Sequence, residues 1–275
     1  MAGVTPLIVT AFEKYKNVIF NVNVDLNFWT SFIDKNIDSY QYTNGIPNDI
    51  YDAIFGVYDW DVSSGTGYLK SNILGRTILK SDLKRERQDF FSWVRNLAVL
   101  KSYNALELFL HQAIWIAYFP SEKNPIISKK AADNLQNKIK EFLVLAGLPT
   151  DTKNNRHIMV LLRCKALGYS IFLDSPMNVD LITTWANFFE MFSVLRNVIA
   201  HQGTVINNDT LNEIQSKSKD IFKRHFDVVS DQFKEKNLKP KEADFDNFIN
   251  IVNTFALNSV KIALGECDFK FLNMY

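Results

Sequence analysis

Apolar side chains recur three and four positions apart over most of the chain after Ser81, which is the spacing of one face of an α-helix. No Gly or Pro occurs between Ser81 and Pro120. The apolar positions of this segment are Phe90, Phe91, Val94, Leu97, Ala98, Ala105, Leu108, Phe109, Ala113 and Ile116. Because helix breakers are absent and the spacing persists, the pattern predicts one long, mostly buried helix.

Capping residues and helix breakers divide the rest of this region into further predicted helices. These run from Lys129 to Ala146, from Asn155 to Leu167, from Ser175 (as N-cap, with Pro176 in the first turn) to Gly203, from Asp209 or Thr210 onward, and from Ala243 to Leu264. The polar stretch from Phe226 to Pro240 predicts a short hairpin. The predicted fold class is all-α, a helical bundle.

The first 80 residues have a less regular pattern. Val18–Val24 fits either a strand or the continuation of a helix, and Pro47 with two acidic residues behind it predicts a short helix. Asp59–Gly67 is typical of a turn-rich loop. We therefore predict an N-terminal extension over residues 1–80, of mixed or helical structure, and a helical domain over residues 81–275.

Composition and charge exclude several classes of protein. Of the 275 residues 47% are hydrophobic and 13% aromatic, which is enough for a sizeable core, and the net charge of +1 provides no basic field over the whole surface. Two distant cysteines, Cys164 and Cys267, exclude a disulfide framework and a Cys-based zinc site. The apolar run Leu106–Phe119 is too short for a membrane span. We expect a cytoplasmic protein that does not bind membranes.

Several local patterns have ordinary explanations. Gly65–Ser71 lacks the spacing of a phosphate-binding loop, and Asp59 and Asp61 have no neighbouring partners for a metal ion. The four histidines lack the spacing that brings two imidazoles to one metal, so we expect no metal and no cofactor. His157, beside Arg156, is typical of a surface position.

A basic segment lies in the helix predicted after Thr210. Lys219 and Lys223 are four positions apart and share one face, and Lys217 and Arg224 share another. Such a segment either follows an RNA backbone or forms an ordinary solvated face.

The most informative segment runs from Glu190 to Gly203, where Arg196, Asn197 and His201 are the polar residues of an otherwise apolar helix end. Asn197 and His201 are four positions apart and lie on one face. Arg196 lies about 140° around the helix from His201, but its long side chain allows the guanidinium to bend toward the same surface. His201 is in the last turn, where the helix dipole favours a positive charge, so a purely structural role also fits it.

Arg196-Asn197, three apolar residues and His201, followed by Gly203-Thr204-Val205-Ile206-Asn207, closely resemble the signature of HEPN-domain proteins. The apolar spacer and the downstream residues are most similar to the RiboL-PSP-HEPN branch. The long helix through Glu107 also resembles an early helix of that family, which often has an acidic residue. The resemblance covers about residues 85–265.

The resemblance implies a helical domain that forms a homodimer, with two Arg/His sets facing one cleft. Many members of the family are metal-independent endoribonucleases of toxin–antitoxin, abortive-infection or RNA-processing systems. The residue chemistry fits that role, because a histidine is suited to deprotonating the 2′-hydroxyl of RNA and an arginine to stabilising charge at the phosphate. Arg196, His201 and Asn197 are then the candidate catalytic residues, and RNA is the substrate. An antitoxin or another defence-system protein is a possible partner.

The sequence leaves undecided the roles of two further residues and allows two other functions. Glu107 and His111 are four positions apart and either support the cleft or form an internal structural pair. In place of an enzyme, the chain could be a non-catalytic module of the same fold that binds RNA, nucleotide or a protein. It could also be the target or partner of a nucleotidyltransferase, although it has no transferase motif itself.

Overall fold

The structure, a computed structural model, describes residues 7–42, 49–61, 68–119, 129–151, 155–163, 170–178, 181–231 and 233–263. In this part of the chain the fold is mostly helical. The elements are α1 (Leu7–Tyr42), β1 (Asp49–Asp61), β2 (Tyr68–Leu79), α2 (Leu83–Tyr118), α3 (Lys129–Leu145), α4 (Arg156–Arg163), α5 (Ser170–Asp174), α6 (Trp185–Gln202), α7 (Asn208–His225), β3 (Phe226–Ser230), β4 (Lys236–Pro240) and α8 (Phe245–Ala263). The strands form two separate two-stranded antiparallel sheets, β1–β2 and β3–β4.

The chain divides into two compact units. The first contains the residues up to Leu26 and those from Ser92 onward, and the second contains Asn27–Phe91. The predicted domain boundary at residue 80 therefore does not coincide with a boundary between these units. The beginning of α1 belongs to the unit that contains the candidate site.

The second unit contains the β1–β2 hairpin, in which Asp52 pairs with Thr77 and Asp61 pairs with Tyr68. The short helix predicted after Pro47 was wrong, because its residues belong to β1. That segment is rich in Ile, Tyr, Phe, Val and Trp, which favour extended structure more strongly than one proline and two acidic residues favour a helix. Asp59 also lies in β1, so the predicted turn-rich loop begins too early, and residues 62–67 lie outside the described residues.

In the first unit, α1 places an apolar stripe against the core. The buried residues follow alternating steps of four and three positions: Ile8, Phe12, Tyr15, Ile19, Val22 and Leu26. This is the repeat of a helix face that packs on other helices. Of the two interpretations of Val18–Val24, the helical one is therefore confirmed.

Helix α6 is the central helix of this unit's core. Its ring contacts extend to both α2 and α8, because Phe192 packs edge-on against Tyr103 at 5.0 Å and against Phe248 at 5.3 Å. Phe188 and Phe189 are fully buried on neighbouring positions. A helix that is apolar on nearly every side must be enclosed by others, which explains the dense aromatic sequence of α6.

The predicted start of α6 was wrong. Ser175 ends α5 rather than beginning a helix, since its backbone N–H donates to the carbonyls of Ile171 and Phe172 and its hydroxyl also donates to Phe172. Pro176 then bridges to Thr184, and Thr184 is the actual N-cap, with its hydroxyl oxygen 3.2 Å from the backbone nitrogen of Asn187. The serine–proline pair follows a short helix that the sequence pattern did not reveal.

The other predicted helices are confirmed, with ends that differ by one or two residues, except that residues 164–169 beyond α4 lie outside the described residues. The hairpin predicted between Phe226 and Pro240 is also confirmed as β3–β4. Its turn is held by Asp231, whose carboxylate oxygen accepts hydrogen bonds from the backbone of Phe233 and Glu235, both at 2.9 Å.

Candidate functional site

The C-terminal end of α6 is fixed by a glycine cap and by the segment that follows it. Gly203 has φ 60°, in the left-handed region that glycine adopts without a steric penalty. The backbone N–H of Leu238 donates to the Thr204 carbonyl at 2.9 Å, and that of Ile206 donates to the Lys236 carbonyl at 2.8 Å. The segment that contributed to the HEPN resemblance therefore pairs with β4 and anchors this end of the helix.

Thr204 has φ 90°, an unusual value for a β-branched residue. Its hydroxyl donates to the side-chain oxygen of Asn237 at 3.2 Å, and the pairing with β4 holds its backbone in place. Strained backbone that the surrounding structure holds in place occurs preferentially at functional sites. Here it lies three residues after His201.

Arg196 has two contacts that fix its guanidinium. Nη1 donates to Oδ1 of Asn197 at 2.9 Å, and Cζ lies 5.8 Å from the centroid of the Tyr103 ring on α2. Its Nε is buried without a hydrogen-bond partner. Within the described residues no carboxylate forms an ion pair with Arg196, so its positive charge is not neutralised there.

Tyr103 is completely buried and connects α2 to α6 and to the residue immediately before α4. Its ring stacks on Phe189 at 5.9 Å, and its hydroxyl donates to Oγ of Ser193 at 3.1 Å. The same hydroxyl accepts a hydrogen bond from Nδ2 of Asn155, immediately before α4. Burial, and to a smaller degree the negative charge of Glu107, raise the pKa of the Tyr103 hydroxyl, which therefore stays neutral.

Glu107 accepts a hydrogen bond from the same Asn155 amide nitrogen and lies one helical turn beyond Tyr103. It does not form an ion pair with Arg196 in the described part of the chain. The structure therefore connects Glu107 to Arg196 only through Tyr103 and its partners. Of the two open interpretations, the contacts favour an internal role.

His111 and His157 form a second internal pair, with ring centroids 6.4 Å apart. Burial lowers the pKa of each to about 4, and for His157 the neighbouring His111 contributes as well. His111 Nε2 and His157 Nδ1 are buried without hydrogen-bond partners. The prediction of a surface position for His157 was wrong, because the amphipathic helix α4 turns this side chain inward.

His201 lies in the last turn of α6 and is exposed. No hydrogen bond or ion pair joins it to Arg196, whose guanidinium points toward Asn197 and Tyr103. Within one chain the structure brings Arg196 and Asn197 together but leaves His201 without such a contact. His201 is free to meet a ligand or another chain from the solvent side.

The basic residues of α7 do not form the two faces that the spacing predicted. Ser218 has non-helical φ and ψ (−155°, 67°), so a kink separates Lys217 from Arg224, and their predicted shared face was wrong. Lys217 forms an ion pair of 2.5 Å with Glu190. Lys219 and Lys223 both follow the kink and are exposed.

Among the described residues, no group of three or more His, Cys, Asp or Glu side chains is placed to hold a metal ion. None of the described helices has the length and apolar character needed to cross a membrane.

Sequence reasoning missed Tyr103, Ser193 and Asn155. The first two lie within predicted helices, and Ser193 is one turn before Asn197, but only the packing of α2 on α6 shows that they meet. Asn155 lies before α4, at φ 57°, and no short-range spacing connects it to α2.

Comparison of the chain with protein-family models, with curated proteins and with solved structures found no match.

Proposed function

We propose that the protein is a metal-independent endoribonuclease of the HEPN type, which cleaves RNA by attack of the 2′-hydroxyl on the adjacent phosphate. The observation that carries this proposal is the guanidinium of Arg196, which Asn197 holds near the end of α6 and which no carboxylate of the described residues neutralises, in the same helix end as an exposed His201. An arginine without a carboxylate partner retains its full charge for a phosphate.

In this mechanism His201 is the general base that takes the proton of the 2′-hydroxyl. Arg196 stabilises the charge that develops on the phosphorane, and Asn197 orients the guanidinium. RNA supplies its own nucleophile, so the protein provides only proton transfer and charge stabilisation. As the 2′-oxygen bonds to phosphorus, the P–O5′ bond breaks and the leaving 5′-oxygen takes a proton from water, while His201 returns its proton to solvent. The products carry a 2′,3′-cyclic phosphate and a 5′-hydroxyl.

A homodimer completes the site in this proposal. Because His201 is exposed and separate from the Arg196 contacts of its own chain, a second copy can place its His201 against the same phosphate. Light scattering is expected to give the mass of a dimer. In a cell such an enzyme is suited to a toxin or anti-phage role, with an antitoxin or defence-system protein as its regulator.

A non-catalytic RNA-binding module of the same fold is the second candidate. The observation in its favour is that no hydrogen bond or ion pair joins Arg196 to His201 within one chain, since a phosphate-binding arginine needs no base beside it. The two candidates differ in turnover, which a cleavage assay measures directly.

The test compares wild type, His201→Ala and Gln202→Ala on single-stranded RNA in the presence of EDTA. Gln202 is the exposed neighbour of His201 and serves as the matched control. We expect the wild type and the control to produce cyclic-phosphate ends, and His201→Ala to be slower by about 10²–10⁴-fold. Equal rates for folded His201→Ala and wild type would contradict the assigned role. RNA binding without cleavage by the wild-type dimer would support the second candidate.

A further inference from the structure

We propose that Tyr103 is a positioning residue for Arg196, and that its ring face sets the place where the guanidinium meets the RNA phosphate. This inference rests on the proposed function and adds the residue that fixes the geometry of its phosphate-binding group. Tyr103 lies on a different helix and is 93 positions away in sequence, so its role follows from the packing of α2 on α6.

The first step is the contact itself. Cζ of Arg196 lies 5.8 Å from the centroid of the Tyr103 ring, within the range in which a cation is attracted to the face of an aromatic ring. A ring face attracts a guanidinium without accepting its in-plane hydrogen bonds. By contrast, a carboxylate at this position would neutralise the charge and occupy two of the five N–H donors.

The second step is that packing and hydrogen bonds hold the ring in place. Phe189 stacks against it at 5.9 Å, and Phe192 meets it edge-on at 5.0 Å. Its hydroxyl donates to Ser193 and accepts from Asn155. Because α2, α6 and the residue immediately before α4 all contribute to this arrangement, the ring provides a fixed platform for the guanidinium.

The third step concerns Asn155, whose backbone has φ 57°, a conformation that non-glycine residues rarely adopt. Its amide nitrogen donates to both the Tyr103 hydroxyl and the Glu107 carboxylate. Asparagine tolerates this region better than most residues do. This backbone conformation places the side-chain amide nitrogen within hydrogen-bond distance of both the Tyr103 hydroxyl and the Glu107 carboxylate.

The experiment measures kcat and KM for RNA cleavage with changes at position 103. Tyr103→Leu removes the π face, and we expect kcat to fall by about tenfold or more, as loss of a buried cation–π contact implies. Tyr103→Phe retains the face and is expected to recover most of that loss. Phe109→Leu, a buried ring on the same helix that contacts Phe12 and Tyr15, is the matched control with no contact to Arg196.

A ring of similar volume, compared with Tyr103→Phe, which also lacks the hydroxyl, separates the electrostatic role from simple packing. Pentafluorophenylalanine incorporated at position 103 reverses the charge distribution of the ring face while it fills nearly the same volume. We expect it to lower kcat as Tyr103→Leu does. Full activity with the fluorinated ring overturns the proposal, and this variant remains informative even if Tyr103→Leu fails to fold.

A double-mutant cycle tests whether Tyr103 acts through Arg196. In an Arg196→Gln background we expect Tyr103→Leu to cause little further loss, because the group that it positions is already absent. If the double variant instead loses kcat by the product of the two single losses, the ring supports the fold independently of Arg196. That result would contradict the proposal.

A measurement without turnover separates this inference from the proposed function. The Nε–H resonance of Arg196, assigned by its loss in Arg196→Lys, is expected to be shifted by the Tyr103 ring current. The shift should persist in Tyr103→Phe and disappear in Tyr103→Leu. The wild type could cleave no RNA and still show the shift, with the shift retained in Tyr103→Phe and lost in Tyr103→Leu. In that case the ribonuclease proposal fails and the positioning contact stands. If the shift is absent in wild type, the positioning proposal fails regardless of activity.

Discussion

Nη1 of Arg196 donates a 2.9 Å hydrogen bond to Oδ1 of Asn197, the next residue along α6. Consecutive residues of a helix point about 100° apart, so their side chains do not ordinarily meet. The bond therefore requires the long arginine side chain to fold across the helix surface. It holds the guanidinium beside the ring of Tyr103, and within the described residues Nε has no hydrogen-bond partner.

Removal of this acceptor is the first prediction. Asn197→Ala should lower kcat/KM for RNA cleavage by about tenfold or more, because a hydrogen bond to a charged group is lost and the guanidinium becomes mobile. Asn197→Asp retains an acceptor at the same place and is the control for geometry. We expect Asn197→Asp to keep the arginine in position but to weaken RNA binding, since its negative charge offsets the cation. Unchanged kcat/KM in folded Asn197→Ala would show that Asn197 does not orient Arg196.

The buried His225 makes stability depend on pH. Its Nδ1 lies 3.0 Å from the Asp244 carbonyl oxygen, so this nitrogen carries the proton, and its Nε2 is buried without a partner. Burial lowers the pKa of His225 from 6.5 to about 4. The unfolded chain therefore takes up the second imidazole proton more readily than the folded chain does. The stabilisation present above pH 6.5 is lost as the pH falls toward 4.

Urea unfolding at about pH 7 and about pH 5 checks this prediction, with an expected loss of about 1–2 kcal/mol from His225. His225→Asn retains a donor for the Asp244 carbonyl and has no titrating group, so its stability should change less over the same interval. His111 and His157 contribute a loss of the same sign in both proteins, because burial lowers the pKa of each. An equal change in both proteins would mean that His225 does not carry the effect.

The exposed lysines beyond the kink in α7 lead to a prediction about RNA affinity. Lys219→Ala with Lys223→Ala should weaken binding of single-stranded RNA and reduce the magnitude of the slope of log K against log salt by about 1.4, about 0.7 for each phosphate contact on a single strand. Lys130→Ala with Lys140→Ala changes two exposed lysines of α3 and is the matched control. If both pairs change the salt dependence equally, the basic residues of α7 act only through the net charge.

Helix spacing was sufficient to predict most of the fold. The runs that became α2, α3, α7 and α8 each present apolar positions at helical spacing, Gly147 follows the end of α3, and Asn207 caps the start of α7. Local signals failed between α5 and α6, where a serine–proline pair fits either the end of one helix or the start of the next. Ser175 and Pro176 have the composition of a helix start, but the preceding α5 uses the Ser175 backbone and side chain at its own end.

The sequence related the candidate catalytic residues to one another only along α6. Arg196, Asn197 and His201 are close in sequence, so helical geometry alone relates them. Tyr103 contacts Arg196, and Asn155 contacts Tyr103, through the packing of separate segments, which depends on the whole core rather than on any local spacing. For the same reason the sequence did not reveal that Arg196 contacts a ring face while His201 remains exposed.

The glycine cap after α6 gives the last prediction, which separates stability from activity. Gly203 has φ 60° and no atom lies within 4 Å of the position that a Cβ would take, so Gly203→Ala adds backbone strain without a clash. We expect a loss of about 1 kcal/mol in the free energy of unfolding. Gly147 after α3 has φ 64° and the same open surroundings, and Gly147→Ala should cost about as much.

The two variants should differ in RNA cleavage, because Gly203 follows His201 by two residues and holds the last turn of α6. Gly203→Ala should lower kcat, whereas Gly147→Ala should leave it unchanged at a temperature where both proteins are folded. Gly203→Asn is the rescue variant, since asparagine accepts the left-handed conformation at a lower cost. Urea unfolding and the cleavage assay together check the prediction. A loss of kcat that is equal in both alanine variants would mean that the cap acts through overall stability rather than through the position of His201.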